Sequence, residues 1–95
     1  MKAAWYEKIG AAAEVLQVSE QEDPIPQMGE VLVEIKSSGL NPSDVKTRAG
    51  ARGELQFSKI IPHSDGGGVI VAVGEGVNES RIGERVWIWN GAFGR

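Results

Sequence analysis

Residues 30–36, Glu-Val-Leu-Val-Glu-Ile-Lys, place Val31, Val33 and Ile35 on one face of an extended chain, with Leu32, Glu34 and Lys36 on the other. A period of two marks a half-buried strand, and such a strand needs partners to cover its apolar face. The rest of the chain offers them in short pieces. Residues 2–6 (KAAWY) and 14–19 (EVLQVS) read as strands. Residues 68–73 (GVIVAV) are apolar on both faces and read as a buried strand. Residues 85–90 (RVWIWN) alternate Val86 and Ile88 against Trp87 and Trp89. Between them, EQEDPIPQMGE (20–30) is a loop and GARGELQFSKIIP (50–62) a long connection. The one helical signal is short: Pro42 suits a first turn and Asn41 its cap, giving one or two turns over 42–48. No repeat and no long amphipathic helix is present. Short strands with glycine-rich turns predict an all-β fold with short helices, arranged as a barrel.

Composition excludes several chemistries. Ninety-five residues suit one domain, burying roughly two-thirds of the unfolded surface. The net charge of −3 argues against a surface for nucleic acid. The chain has no cysteine, so it has no disulfide, thiolate nucleophile or cysteine-held zinc. Its single histidine rules out a histidine-rich metal site. Glu7 and Lys8 break the apolar run that a signal peptide needs, and no segment is long enough to span a membrane. A cytoplasmic location is the default expectation.

Several stretches tempt a functional reading. GEGVNE (74–79) opens like a dinucleotide fingerprint, but its third small residue is replaced by Glu79, and a turn and a strand follow instead of a helix. It reads as a turn needing positive φ at Gly74 or Gly76. Asp65-Gly66-Gly67-Gly68 favours close approach of two backbones over an anion cradle. His63, between Pro62 and Ser64, has no partner pair beside it in sequence. It reads as exposed or packed, with a place near a site as the alternative. Trp87 and Trp89 suit a core or an interface better than a stacking platform, given the acidic balance. Asn41 by itself is a helix cap.

Four pieces in order change that last reading: MKAAWYEKIG, GEVLVEIKSSGLNPSDVKTRAG, IIPHSDGGGVIVAVGEGV and IGERVWIW. Together they resemble the N-terminal half of the medium-chain dehydrogenase/reductase superfamily. Its catalytic domain is similar to the co-chaperonin GroES, a small, partly open β-barrel. Zinc alcohol dehydrogenases carry Cys-His-(Ser/Thr)-Asp where this chain has Asn41-Pro42-Ser43-Asp44. They carry Gly-His-Glu where it has His63-Ser64-Asp65. The zinc-ligand positions therefore hold Asn41 and Ser64, an amide and a hydroxyl that poorly replace thiolate and imidazole. The four-cysteine structural lobe is missing too. The chain resembles the zinc-independent quinone oxidoreductase branch, the one similar to zeta-crystallin.

The resemblance implies a role for the segment after the strand. Asn41 would lie against the nicotinamide of NADP(H) or the substrate carbonyl, as both catalytic and cofactor-binding residue. Ser43 would relay a proton. Asp44, Lys46 and Arg48 would line the cleft or order its loop, with Asp44 paired to Arg48 four residues on. Val45 and Lys46 stand where several relatives have a tyrosine, so no phenolic donor is found there. The family continues into a Rossmann cofactor domain, which residues 1–95 do not include. The chain is therefore expected to be the substrate-side portion of an NADPH-dependent, metal-free quinone or enone reductase. It should be inactive alone, with no tight cofactor of its own. Two other readings compete: a stand-alone barrel for protein association, self-association included, and an oligonucleotide- or sugar-binding barrel built on Trp87 and Trp89.

Overall fold

The computed structural model describes residues 1–91, whose five strands form two separate antiparallel sheets. The first pairs β1 (Lys2–Trp5) with β2 (Gln17–Glu20), Lys2 opposite Glu20 and Trp5 opposite Gln17. The second has the order β3 (Val31–Gly39), β4 (Asp65–Val73), β5 (Arg85–Ile88). Two helices accompany them, α1 (Ala12–Val15) and α2 (Pro42–Ala49). This is a mostly β chain with short helices and open sheets, as the sequence predicts.

The boundaries differ where local chemistry intervenes. The strand expected over 14–19 begins only at Gln17, because the alanine run ahead of it takes one helical turn. Val15 N–H donates to Ala11 O at 3.1 Å and Leu16 N–H to Ala12 O at 3.0 Å. Alanine is the best helix former, so the turn is favoured before the chain extends. β3 runs three residues beyond Lys36 in its pairing, through Gly39, and carries register shifts at Leu32/Val33 and at Ile35/Ser37. The first leaves Val71 as the extra residue on β4 and the second Lys36 on β3. Ile35, expected to be buried, is 50% exposed and lines a cavity.

β4 starts at Asp65, so Gly66, Gly67 and Gly68 are strand residues. They are there for space. A Cβ on Gly68 would lie 2.1 Å from Glu34 O, and one on Gly66 2.6 Å from Ser37 O. The glycine run is a close backbone approach, crossing β3 at its bulge. Gly74 serves the same purpose, with Gln27 O 1.8 Å from its would-be Cβ, while Gly76 takes the positive φ (87°) of the turn. GEGVNE is thus a turn leading into a short 3-10 segment, Glu79–Arg81.

The core is small. Tyr6, Val15 and Ile60 are buried together with Leu55 packed against them, and Ile70 is buried apart. Tyr6 and Ile60 also exchange backbone hydrogen bonds, Tyr6 N–H to Ile60 O at 2.9 Å and Ile60 N–H to Tyr6 O at 2.8 Å. The long connection is therefore stapled to the end of β1. GVIVAV does not turn out buried on both faces: Val71 is 41% exposed, because its side of β4 opens onto a cavity. Trp87 on the edge strand β5 and Trp89 just beyond its end are each 79% exposed, which removes the core half of their expected role.

Candidate functional site

The site is built where β3 hands over to α2. β3 ends at Gly39, opposite Asp65 at the start of β4. Leu40 follows, and Asn41 takes the extended N-cap conformation (φ −121°, ψ 154°). Pro42 occupies the first turn, where a missing N–H costs nothing. Asp44 reaches back: its Oδ2 accepts Asn41 N–H at 2.7 Å, and its own N–H donates to Asn41 O at 3.0 Å. Gly50, at φ 91°, closes the helix in the left-handed conformation.

This reciprocal bonding holds a buried carboxylate, only 9% exposed. Asp44→Ala is expected to cost about 1–2 kcal/mol, the range of a lost cap, whereas Asp44→Asn retains an acceptor and should cost less. Urea denaturation of the two variants checks this, and equal losses would count against the capping role.

The side chain of Asn41 is not idle. Its Nδ2 donates to Asp65 Oδ2 at 2.6 Å, tying the N-terminus of α2 to the first residue of β4. The expected pairing of Asp44 with Arg48 does not form. Asp44 is engaged by the Asn41 N–H, and Arg48 Nη1 donates to Gly10 O at 2.7 Å, while Gly10 N–H returns to Arg48 O at 2.9 Å. Arg48 therefore fastens α2 to the segment after β1. Ser43 is half-buried on α2, and Lys46 is exposed on it.

Beside this junction lies a cavity of about 860 Å³. Ile35, Val71 and Ile88 give it an apolar wall, and Ser38, His63 and Asp65 stand at its polar end. Asp65 links the cavity to Asn41. Asn41 itself is not in its lining, and neither are Ser43, Asp44, Lys46 and Arg48. Ser38 and His63 are bonded to each other, Oγ to Nδ1 at 2.5 Å. His63 has a φ of 81°, one of two non-glycine residues with positive φ among the described residues. Sequence inspection misses this pair because its members lie 25 positions apart and β3–β4 pairing alone brings them together. No group of three or more His, Cys, Asp or Glu suited to a metal ion occurs among the described residues. None of their helices is long and apolar enough to cross a membrane.

Two short open sheets, a short capped helix after β3 and an apolar-walled cavity make a small, mostly β module. The chain belongs to the alcohol dehydrogenase GroES-like domain family, which residues 27–94 match. It is 34% identical over 93 residues to an alcohol dehydrogenase from Moraxella sp. (strain TAE123), covering 95% of this chain and 27% of that protein. A putative NADPH:quinone reductase from Bacillus thuringiensis superposes with a TM-score of 0.84 at 30% identity, over 96% of this chain and 28% of that one. A mycobacterial structure complexed with NADPH superposes with a TM-score of 0.79 at 26% identity, over 92% of this chain and 27% of that one. The chain thus spans less than a third of the length of these relatives, and corresponds to their N-terminal part.

Proposed function

We propose that this chain is the N-terminal, substrate-side domain of an NADPH-dependent, metal-free oxidoreductase acting on a quinone or enone. The observation that carries this reading is the Asn41–Asp65 bond at the β3–α2 junction, on a domain with an NADPH:quinone reductase among its structural neighbours. Asn41 and Ser64 occupy the positions that resemble zinc-ligand positions, and an amide already donating to a carboxylate does not fit a zinc ion. The proposal includes inactivity of residues 1–95 alone, because the resemblance assigns the main cofactor surface to a separate domain.

When bound, a reduced nicotinamide supplies a hydride. The residues of this chain orient and stabilise. An amide carries two N–H donors. Asp65 takes one from Asn41 and thereby fixes the plane of the other, which can donate to the oxygen that gains charge as the carbonyl is reduced. Preset donors of this kind need no reorganisation during reaction. Asp44 and Arg48 hold the helix that carries Asn41 and Ser43, and Ser43 relays a proton.

The test has two parts. NADPH titrated calorimetrically into the 95-residue chain should show no saturable binding below millimolar. In the parent enzyme, quinone reduction should survive chelation, and Asn41→Ala should lower kcat by about 100-fold, the scale of one oxyanion donor. Activity lost to a chelator and restored by zinc would sink the metal-free reading. The exposed Trp87 and Trp89 support a second reading, an association module. A monomeric sedimentation profile across concentration would remove self-association from it.

A further inference from the structure

We propose that His63, held by Ser38, is the group that anchors a substrate oxygen in the 860 Å³ cavity. The proposal rests on the quinone or enone reading above and adds a recognition residue to it.

Three independent features meet at His63. The first is the bond to Ser38, 2.5 Å from Oγ to Nδ1. A neutral imidazole has one N–H, and its location is set by the bond the other nitrogen makes. We assign Ser38 O–H as the donor to Nδ1; the ring proton then sits on Nε2, and Nε2–H is the donor left for a ligand. The second feature is the backbone. A φ of 81° is costly for a residue with a Cβ, and such outliers persist where surrounding structure enforces them, often at ligand sites. The third is the setting. The cavity falls within the size range of small-molecule pockets, with an apolar wall (Ile35, Val71, Ile88) and polar side chains beside it. That combination suits a flat conjugated ring with an oxygen at one end: the wall takes the ring and the histidine takes the oxygen. Asp65 is also at the polar end, but its Oδ2 accepts from Asn41, and a carboxylate would repel a carbonyl oxygen. Lys2 and Ser64 also line the cavity, but His63 is the ring donor whose orientation a bonded neighbour, Ser38, fixes. Ser38 acts through His63 and is a positioning residue.

The chain contains one histidine, so its imidazole signals in NMR spectra are unambiguous. The probe is hydroquinone, added anaerobically to the labelled 95-residue chain. Long-range proton–nitrogen spectra should show the Nε2–H form before addition. Hydroquinone should then shift the imidazole resonances saturably, together with the methyl groups of Ile35, Val71 and Ile88. Ser38→Ala should mix the tautomers and weaken hydroquinone binding at least five-fold, and Ser38→Thr should restore both. His63→Gly relieves the positive φ, so it should raise the melting temperature while weakening hydroquinone binding.

Methyl shifts without imidazole shifts would overturn the proposal and leave the metal-free reductase reading intact. An Nδ1–H tautomer in the free chain would overturn it as well. Absence of any shift at millimolar hydroquinone would overturn it together with the assignment of this cavity to a quinone-class ligand. The chelation and Asn41→Ala results in the parent enzyme would then decide the wider reading separately.

Discussion

Gly68→Ala is expected to cost this domain about 3 kcal/mol, the upper part of the range for overpacking. The added methyl would lie 2.1 Å from the carbonyl oxygen of Glu34 and 2.9 Å from its carbonyl carbon. Both are backbone atoms of the paired strand, so neither can swing aside as a side-chain end would. Relief requires β3 and β4 to separate at the bulge between Ile35 and Ser37. That would disturb the strand end that carries Ser38 and, through Asp65, the placement of Asn41. The control is Gly76→Ala. There φ is 87° with nothing within 4 Å, so the cost is the left-handed conformation alone, about 1 kcal/mol. Chemical denaturation of the two variants separates steric from conformational causes. Equal losses would show that the β3–β4 crossing is looser than its geometry implies.

Tyr6→Ala should be more damaging still, by about 3–5 kcal/mol, the cost of deleting a buried aromatic ring. Among the described residues, only Val15, Ile60 and the partly buried Leu55 share its cluster, so few neighbours can close the gap. A domain of this size holds roughly 5–14 kcal/mol in total, and the variant should be largely unfolded at 37 °C by circular dichroism. Loss of under 1 kcal/mol would mean that the cluster is not the core.

Tyr6 also predicts a pH effect. Burial raises its phenol above the ordinary 10.0, with Arg48 opposing the rise and Asp44 adding to it. The phenolate is disfavoured in the folded chain, so the unfolded chain loses its proton first. Stability attributable to Tyr6 is then complete below pH 10 and lost as pH climbs through the raised folded value. Tyr6→Phe should flatten that alkaline loss relative to the parent. An unchanged slope between pH 9.5 and 11.5, on the order of two pH units around the ordinary value, would argue that the ring is hydrated.

Much of the architecture is legible in the sequence because it rests on local rules. The alternation of residues 30–36 identifies β3, and Asn41-Pro42 marks the start of α2. Asp65-Gly66-Gly67-Gly68 is readable as a close backbone approach, since three glycines in an apolar run have little other structural use. The resemblance of the ordered pieces to the medium-chain reductases points to the family that residues 27–94 match.

The tertiary structure decides what depends on partners distant in sequence. Asp44 and Arg48 are spaced to pair on one helix face, yet each finds a backbone partner instead, at Asn41 and Gly10. Desolvated backbone groups demand partners more strongly than a surface ion pair rewards them. His63 looks solitary until β3 brings Ser38 to it, and Asn41 looks like a cap until β4 brings Asp65. The sequence by itself determined most of the strands and the turn chemistry, because these follow from residue type and spacing. Only the fold decided which polar groups meet at the cavity, because strand register is a cooperative result of pairing and bulges along the whole of β3 and β4.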